Sequence, residues 1–229
     1  MIYFFLEGDE MITFDEIKKN EAIRTYIKKA DESLLALGYT EHSFAHVTKV
    51  AVSVRYIMQT LGYSEREIEL ASIAAYMHDI GNIVNRIAHS QSGAIMAFRI
   101  LDRMGMDPED IATIVTAIGN HDEGTGVPLN PISAALILGD KSDVRRSRVR
   151  NHDIATFDIH DRVNYSVSAS ELKISEDKKE ISLELSIDTE YSSVTDYFEI
   201  FLARMLLCRK AAEILGMKFR LVINGQKLM

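Results

Sequence analysis

Between residues 14 and 150, apolar side chains return every three or four positions, the spacing of helices that each bury one face. A first helix is expected over about 14–36, from Phe14 and Ile17 to Leu34 and Leu35, with Gly38 placed to stop it. A second, over about 42–61, carries Phe44, Val47, Val50, Val54, Ile57 and Leu61 on one side. A third starts at Ser64, with Glu67 in capping-box position, and runs to His78, where Gly81 ends it. Helices over about 91–104, 108–119 and 131–146 follow, two of them led by Pro108 and Pro131. After about residue 155 the period changes to two. Ile181, Leu183, Leu185 and Ile187 alternate with polar residues, as do Val163, Tyr165, Val167 and Ala169 up to a phase slip near Ser170, so a bulged hairpin turning at 175–180 is expected. A helix over about 194–215 and a last strand from Met217 to Ile223 complete a β-β-α-β tail. The expected fold is mostly α: a helical domain over 12–152 and a small α+β subdomain over 153–229. Residues 1–10 read as an extension ahead of the pattern that starts at Met11.

Composition narrows the class. Hydrophobic residues at 47% and charged residues at 26% describe an ordinary globular chain. A net charge of −8 argues against an extended nucleic-acid surface, which needs excess Lys and Arg. A small anionic ligand remains compatible, because Lys141, Arg145, Arg146, Arg148 and Arg150 cluster against Asp143 alone. One cysteine, Cys208, lies in an apolar run, excludes an internal disulfide and reads as a core residue. No run approaches the ~18 apolar residues of a membrane span, and the acidic opening does not resemble a signal peptide, so a cytoplasmic protein is expected.

Candidate chemistry sits where apolar runs end. His78-Asp79 closes the run ELASIAAYM, and a buried imidazole beside a carboxylate needs compensation that a divalent cation supplies. Taken alone, the pair is also compatible with ordinary capping and backbone hydrogen bonds. His46 lies on the striped second helix one turn beyond His42, His121 follows a helix in GNHDEGTG, and Asp140 ends the run SAALILG.

In this order His46, His78-Asp79 and Asp140 resemble the H…HD…D pattern of the HD superfamily of metal-dependent phosphohydrolases. His89 in AHSQSGA and His121 in NHDEGTG resemble the two extra histidines of its dinuclear branches, such as the HD-type diadenosine tetraphosphate hydrolases. The resemblance spans about residues 40–150 and implies an HD-type helical bundle. This chain departs from the cyclic-dinucleotide phosphodiesterase branch, having HDIGN where that branch reads HDIGK, and lacking its GYP signature.

The resemblance implies a ligand set of His46, His78, Asp79, His89, His121 and Asp140, with Asp79 bridging, His46, His78 and Asp140 on one metal and His89 and His121 on the other. Imidazole and carboxylate suit Fe or Mn in the first place, with Zn, Ni or Mg as alternatives. Two such ions about 3.5–4 Å apart activate water and polarise a phosphoryl oxygen, so no nucleophilic side chain is needed. The implied reaction is hydrolysis of a phosphate ester or anhydride in a small, nucleotide-like substrate by a metal-activated hydroxide, with Asp79 and Asp122 as catalytic residues. Asp122 is a candidate to orient His121 or relay a proton, with turn capping as the alternative. Lys141, Arg145 and Arg146 are candidates to hold a substrate phosphate. His42 is expected to be exposed or to support the ligands, and His152 and His160 to be surface or structural residues. A di-iron oxygenase and a non-enzymatic nucleotide sensor are the rival readings, and an exposed strand edge in the tail would allow a homodimer.

Overall fold

The computed structural model describes residues 11–229, so the extension expected at 1–10 lies outside the described residues. Helix α1 (Phe14–Lys19) and helix α2 (Glu21–Ala36) replace the single helix expected over 14–36. Asn20 divides them: its backbone is extended and its side chain accepts the amides of Ala22 and Ile23, so it caps a new helix where it interrupts the old one. Helix α3 (Phe44–Leu61) starts on Ser43 and ends at left-handed Gly62.

Helix α4 (Glu65–Met77) opens with the Ser64/Glu67 capping box and is buried almost all round, from Ile68 to Met77. Such a helix belongs in the middle of a bundle, and α4 packs against α3, α6 (Pro108–Gly119) and α7 (Pro131–Lys141). Helix α7 is the second of this kind, buried from Ile132 to Gly139. It stops at Lys141 rather than near 146, and the basic run continues into a 3-10 turn over Arg146–Arg148.

Gly81 does not end α4. It lies in a 3-10 turn, Ile80–Ile83, pressed against helix α5 (His89–Met104), where a Cβ would collide with the His89 carbonyl and the Gly93 amide. Only glycine permits that approach, and it brings the residues after α4 against the first turn of α5.

The tail differs from expectation at its start. Val163 and Tyr165 belong to helix α8 (Ile159–Ser166), not to a strand. Asp158 accepts the Asp161 amide as its cap, and Val163, Asn164 and Ser166 are buried at helical spacing, so local capping overrides an alternation only a few residues long. Strand β1 (Val167–Ile174) pairs antiparallel with β2 (Glu180–Ile187), and the slip falls between Val167 and Ala169. Helix α9 (Val194–Ile214) carries the chain to β3 (Lys218–Ile223), parallel to β2, and a short β4 (Gln226–Lys227) closes the order β1-β2-β3-β4.

Tyr197, Phe201, Met205, Cys208 and Ala212 form the buried stripe of α9, which packs on both α7 and β3. Cys208 is thus a core residue, its thiol pushed up to about 12 chiefly by burial. One continuous hydrophobic core joins bundle and sheet. Among the described residues no helix is long and apolar enough to cross a membrane.

Candidate metal centre

Three helices end at one place. Helix α4 delivers His78 and Asp79 at its C-terminus, α6 delivers His121 just past its own, and α7 delivers Asp140 in its last turn. The free carbonyls of helix C-termini carry partial negative charge, so the meeting point favours a cation before any side chain is counted. His46 enters from the first turn of α3, and His89 from the first residue of α5.

The four imidazoles are oriented alike. Each turns Nδ1 outward: His46 to Asp143 Oδ2 at 2.8 Å, His78 to the Ala75 carbonyl at 2.7 Å, His121 to the Ile118 carbonyl at 2.7 Å and His89 to the Arg86 carbonyl at 3.1 Å. A carbonyl accepts only, so it fixes the proton on Nδ1, and in the neutral ring Nε2 then offers a lone pair inward.

Inward, lone pairs meet lone pairs. His46 Nε2 lies 3.3 Å from His78 Nε2, and His89 Nε2 lies 3.1 Å from His121 Nε2. Asp140 Oδ1 is 3.4 Å from His46 Nε2 and 3.7 Å from His78 Nε2. Asp79 faces both groups, with Oδ2 3.3 Å from His78 and 3.6 Å from His46, and Oδ1 3.5 Å from His89. His46, His78, Asp140 and His78, Asp79, His121 are each close enough to share one ion. Six acceptors converging in a buried space repel one another unless a proton or metal sits between them, so the donor set fits divalent cations.

The electrostatics agree. Burial lowers the His78 pKa, but Asp79 and Asp140 outweigh it and hold the imidazole above its usual range. Burial holds His121 well below that range, with His78 and His89 adding to the effect, and it lowers His89 as well. Asp79 and Asp140 resist the rise that burial would cause and stay well below the usual carboxylate range, Asp79 through His78 and Asp140 through Lys141 and His46. The shifts favour the ionised carboxylates and, at His89 and His121, the neutral rings, the states in which both bind metal.

Two supporting residues went unread in the sequence. Asp143 is fully buried and, besides holding His46, meets Lys49 at 3.1 Å and Arg145 Nε at 2.9 Å. Asn82 donates to Asp79 Oδ1 at 2.9 Å and orients that carboxylate. It is the residue that makes HDIGN depart from HDIGK, so the signal was present in the departure itself. Such supports set ring tautomer and ligand basicity.

The remaining expectations divide. Asp122 does not orient His121, whose Nδ1 is taken by a backbone carbonyl; its Oδ1 lies 4.0 Å from His89 Nε2, while Oδ2 accepts the Gly124 amide and shapes the turn. Lys141 is buried and bridges Asp140 Oδ2 and Glu123 Oε2, both at 2.7 Å. Arg145 pairs with Glu41 at 2.8 Å as well as with Asp143. Arg146 is turned away, its guanidinium over the rings of Tyr165 and Tyr191. These three side chains are therefore spent on the protein, because the helix expected to carry them toward a ligand stops at Lys141. Arg148, Arg86 and Arg204 line a cleft beside the centre instead, together with His42. The His42 and His46 rings lie 5.4 Å apart. His42 Nδ1 donates to the Thr40 carbonyl at 2.7 Å, and burial, with Arg148 adding to it, keeps the ring well below its usual pKa. His160 stands at the rim of the same cleft, and His152 is exposed away from it.

The bundle and its histidine-aspartate cluster define a metal-dependent hydrolase of the HD type, and the HD domain family's model matches residues 43–187, from the cap of α3 through β2. The chain belongs to that family. It is similar to an uncharacterized protein of Methanocaldococcus jannaschii, with 26% identity over 208 residues that cover 81% of this chain and 80% of that protein. A solved structure, that of a predicted HD superfamily hydrolase from an uncultured Thermotogales bacterium, overlays 58% of this chain and 75% of its own, with 22% identity and a TM-score of 0.44.

Proposed function

We propose that the protein hydrolyses a phosphate ester or anhydride in a small, nucleotide-like substrate, with two divalent ions at the centre. The observation that carries the reading is the inward convergence of four imidazole Nε2 atoms and two carboxylates beside a guanidinium-lined cleft. His46, His78 and Asp140 would hold one ion, His89 and His121 the other, with Asp79 facing both. Fe and Mn suit these donors first. Bound there, the ions lower the pKa of water and polarise a phosphoryl oxygen.

The protein's own part is positioning. Asn82 and Lys141 each hold one oxygen of a ligating carboxylate, and Asp143 keeps the His46 proton on Nδ1. As a water oxygen bonds to phosphorus and the bond to the leaving oxygen breaks, the arginines receive the charge on the phosphoryl oxygens. Asp122, whose Oδ1 lies 4.0 Å from His89 Nε2, would take the proton from that water or return one to the leaving oxygen.

Metal analysis of freshly purified protein, followed by phosphate release over a panel of nucleotides, tests the reading. Two equivalents of metal and metal-dependent release are expected, both lost in Asp79→Ala; undiminished release by that variant would refute the assignment.

A further inference from the structure

Beside the candidate metal centre lies a cleft of about 520 Å³, within the ~300–1,000 Å³ typical of small-molecule sites; His42, next to His46, and Glu123, joined through Lys141 to Asp140, line it. Three arginines from distant parts of the chain line it: Arg86 before α5, Arg148 after α7 and Arg204 on α9. Each spends only part of its guanidinium on the protein. Arg148 donates from Nε to the Glu41 carbonyl at 2.8 Å and from Nη1 to the Asp143 carbonyl at 2.7 Å. Arg204 donates from Nε to Glu123 at 2.8 Å, and Arg86 Nη1 donates to Asn82 at 3.3 Å and lies 3.4 Å from His89 Nε2. The Nη2 groups of all three donate to no acceptor among the described residues. Arg148 is only 4% exposed, so whatever meets its remaining donor enters through the cleft. Planar guanidinium edges left free around one space match the oxygens of a phosphate.

Another part of the lining has the opposite character. It comes from α8 and its cap, through Asp158, His160, Asp161 and Asn164. Asp158 accepts the Asp161 amide at one oxygen, Asp161 Oδ2 accepts from Asn151 at 3.4 Å, and Asn164 donates its Nδ2 to the His160 carbonyl at 2.9 Å, which leaves the second oxygen of each aspartate and the Asn164 amide oxygen as acceptors. Carboxylates there repel a phosphate and suit hydrogen-bond donors. The cleft thus offers one ligand both free guanidinium edges and acceptors.

Building on the phosphohydrolase reading, we propose that the C-terminal segment selects the substrate. Arg204 joins Arg86 and Arg148 on the phosphate of a small organic phosphate, while Asp161 and Asn164 accept hydrogen bonds from hydroxyls at its other end, as on a pentose. The bundle supplies the metal ligands, and α8 and α9 supply the part of the cleft that tells one phosphate from another.

Calorimetric titration of the metal-loaded full-length protein with ribose 5-phosphate and with inorganic phosphate tests this. Ribose 5-phosphate is expected to bind about tenfold tighter, the value of one charge-assisted hydrogen bond. Asp161→Ala collapses that ratio toward one, Asp161→Asn restores part of it by returning an acceptor, and Arg204→Gln weakens both ligands about tenfold. Equal affinity for the two ligands in the wild type, or an undiminished ratio in Asp161→Ala, overturns the proposal, and preference for phosphoethanolamine over ribose 5-phosphate overturns its hydroxyl half. Because these are binding measurements, selectivity without phosphate release overturns the hydrolase reading alone.

Discussion

The ligand cluster at the ends of α4, α6 and α7 and the cleft wall made by α8 and α9 meet at Glu123, yet they hold their side chains differently. In the cluster every ring nitrogen that faces outward has an acceptor, and the ligands are buried or nearly so. In the wall, Asp158 and His160 are exposed, Asp161 is half-buried, and the arginines keep donors unspent. The cluster's outward groups are all paired within the protein, whereas the wall leaves donors and acceptors unpaired among the described residues. On the proposed function, such a division would keep the reacting geometry rigid and leave selection to groups that can change without disturbing the core.

The sharpest way to break the contrast is at Gly81, which lets the turn after α4 touch α5. Gly81→Ala should cost about 3 kcal/mol in denaturant unfolding, the upper end of overpacking, and should lower metal content by separating Asp79 from His89 and His121. An unchanged midpoint would mean the close approach is not needed. Next comes Asp143→Asn, which leaves the ligands in place but unfixes the His46 tautomer. Metal affinity measured by competition with a chelator should fall about 10- to 100-fold, as for other outer supports.

A smaller effect should appear in acid. Glu123 is held far below its ordinary 4.5 because Lys141 and Arg204 outweigh its burial, and Asp143 far below its 3.8 because His46 and Arg148 do the same. A depressed folded-state pKa contributes stability that is present above the unfolded value and lost as pH falls toward the folded one. Chelator-treated protein should therefore lose melting temperature below about pH 4.5, and Glu123→Gln should make that decline shallower. Smallest is Arg146→Ala, expected to cost about 0.5–1 kcal/mol of exposed cation–π stacking and to leave phosphate release intact. A large loss of turnover would return Arg146 to the site.

Much of the helical domain was legible because its helices are long and their ends are marked. Ser64 with Glu67, Pro108, Pro131 and Gly62 punctuate an apolar repeat that survives over many turns. What escaped was short or depended on neighbours. Asn20 can sit inside a helix or cap one, and Val163 with Tyr165 satisfies a strand period as readily as a helix once only a few residues are compared. Among the six candidate ligands, His78-Asp79 and Asp140 stood out as polar residues closing apolar runs, and His46, His89 and His121 through their order in the motif. Their supports did not, since Asp143 lies in a charged run and Asn82 inside a short turn.

The amino-acid order by itself determined which side chains could ligate a metal and that buried helices would carry them, because those properties follow from local periodicity and residue chemistry. Only the folded chain decided which cations face the cleft. Lys141, Arg145 and Arg146 crowd together in sequence but are drawn off by Glu123, Asp143 and the Tyr165 and Tyr191 rings, while Arg86, Arg148 and Arg204 come together across more than a hundred residues. The direction a long charged side chain takes is set by the acceptors within its reach, and those are brought there by packing.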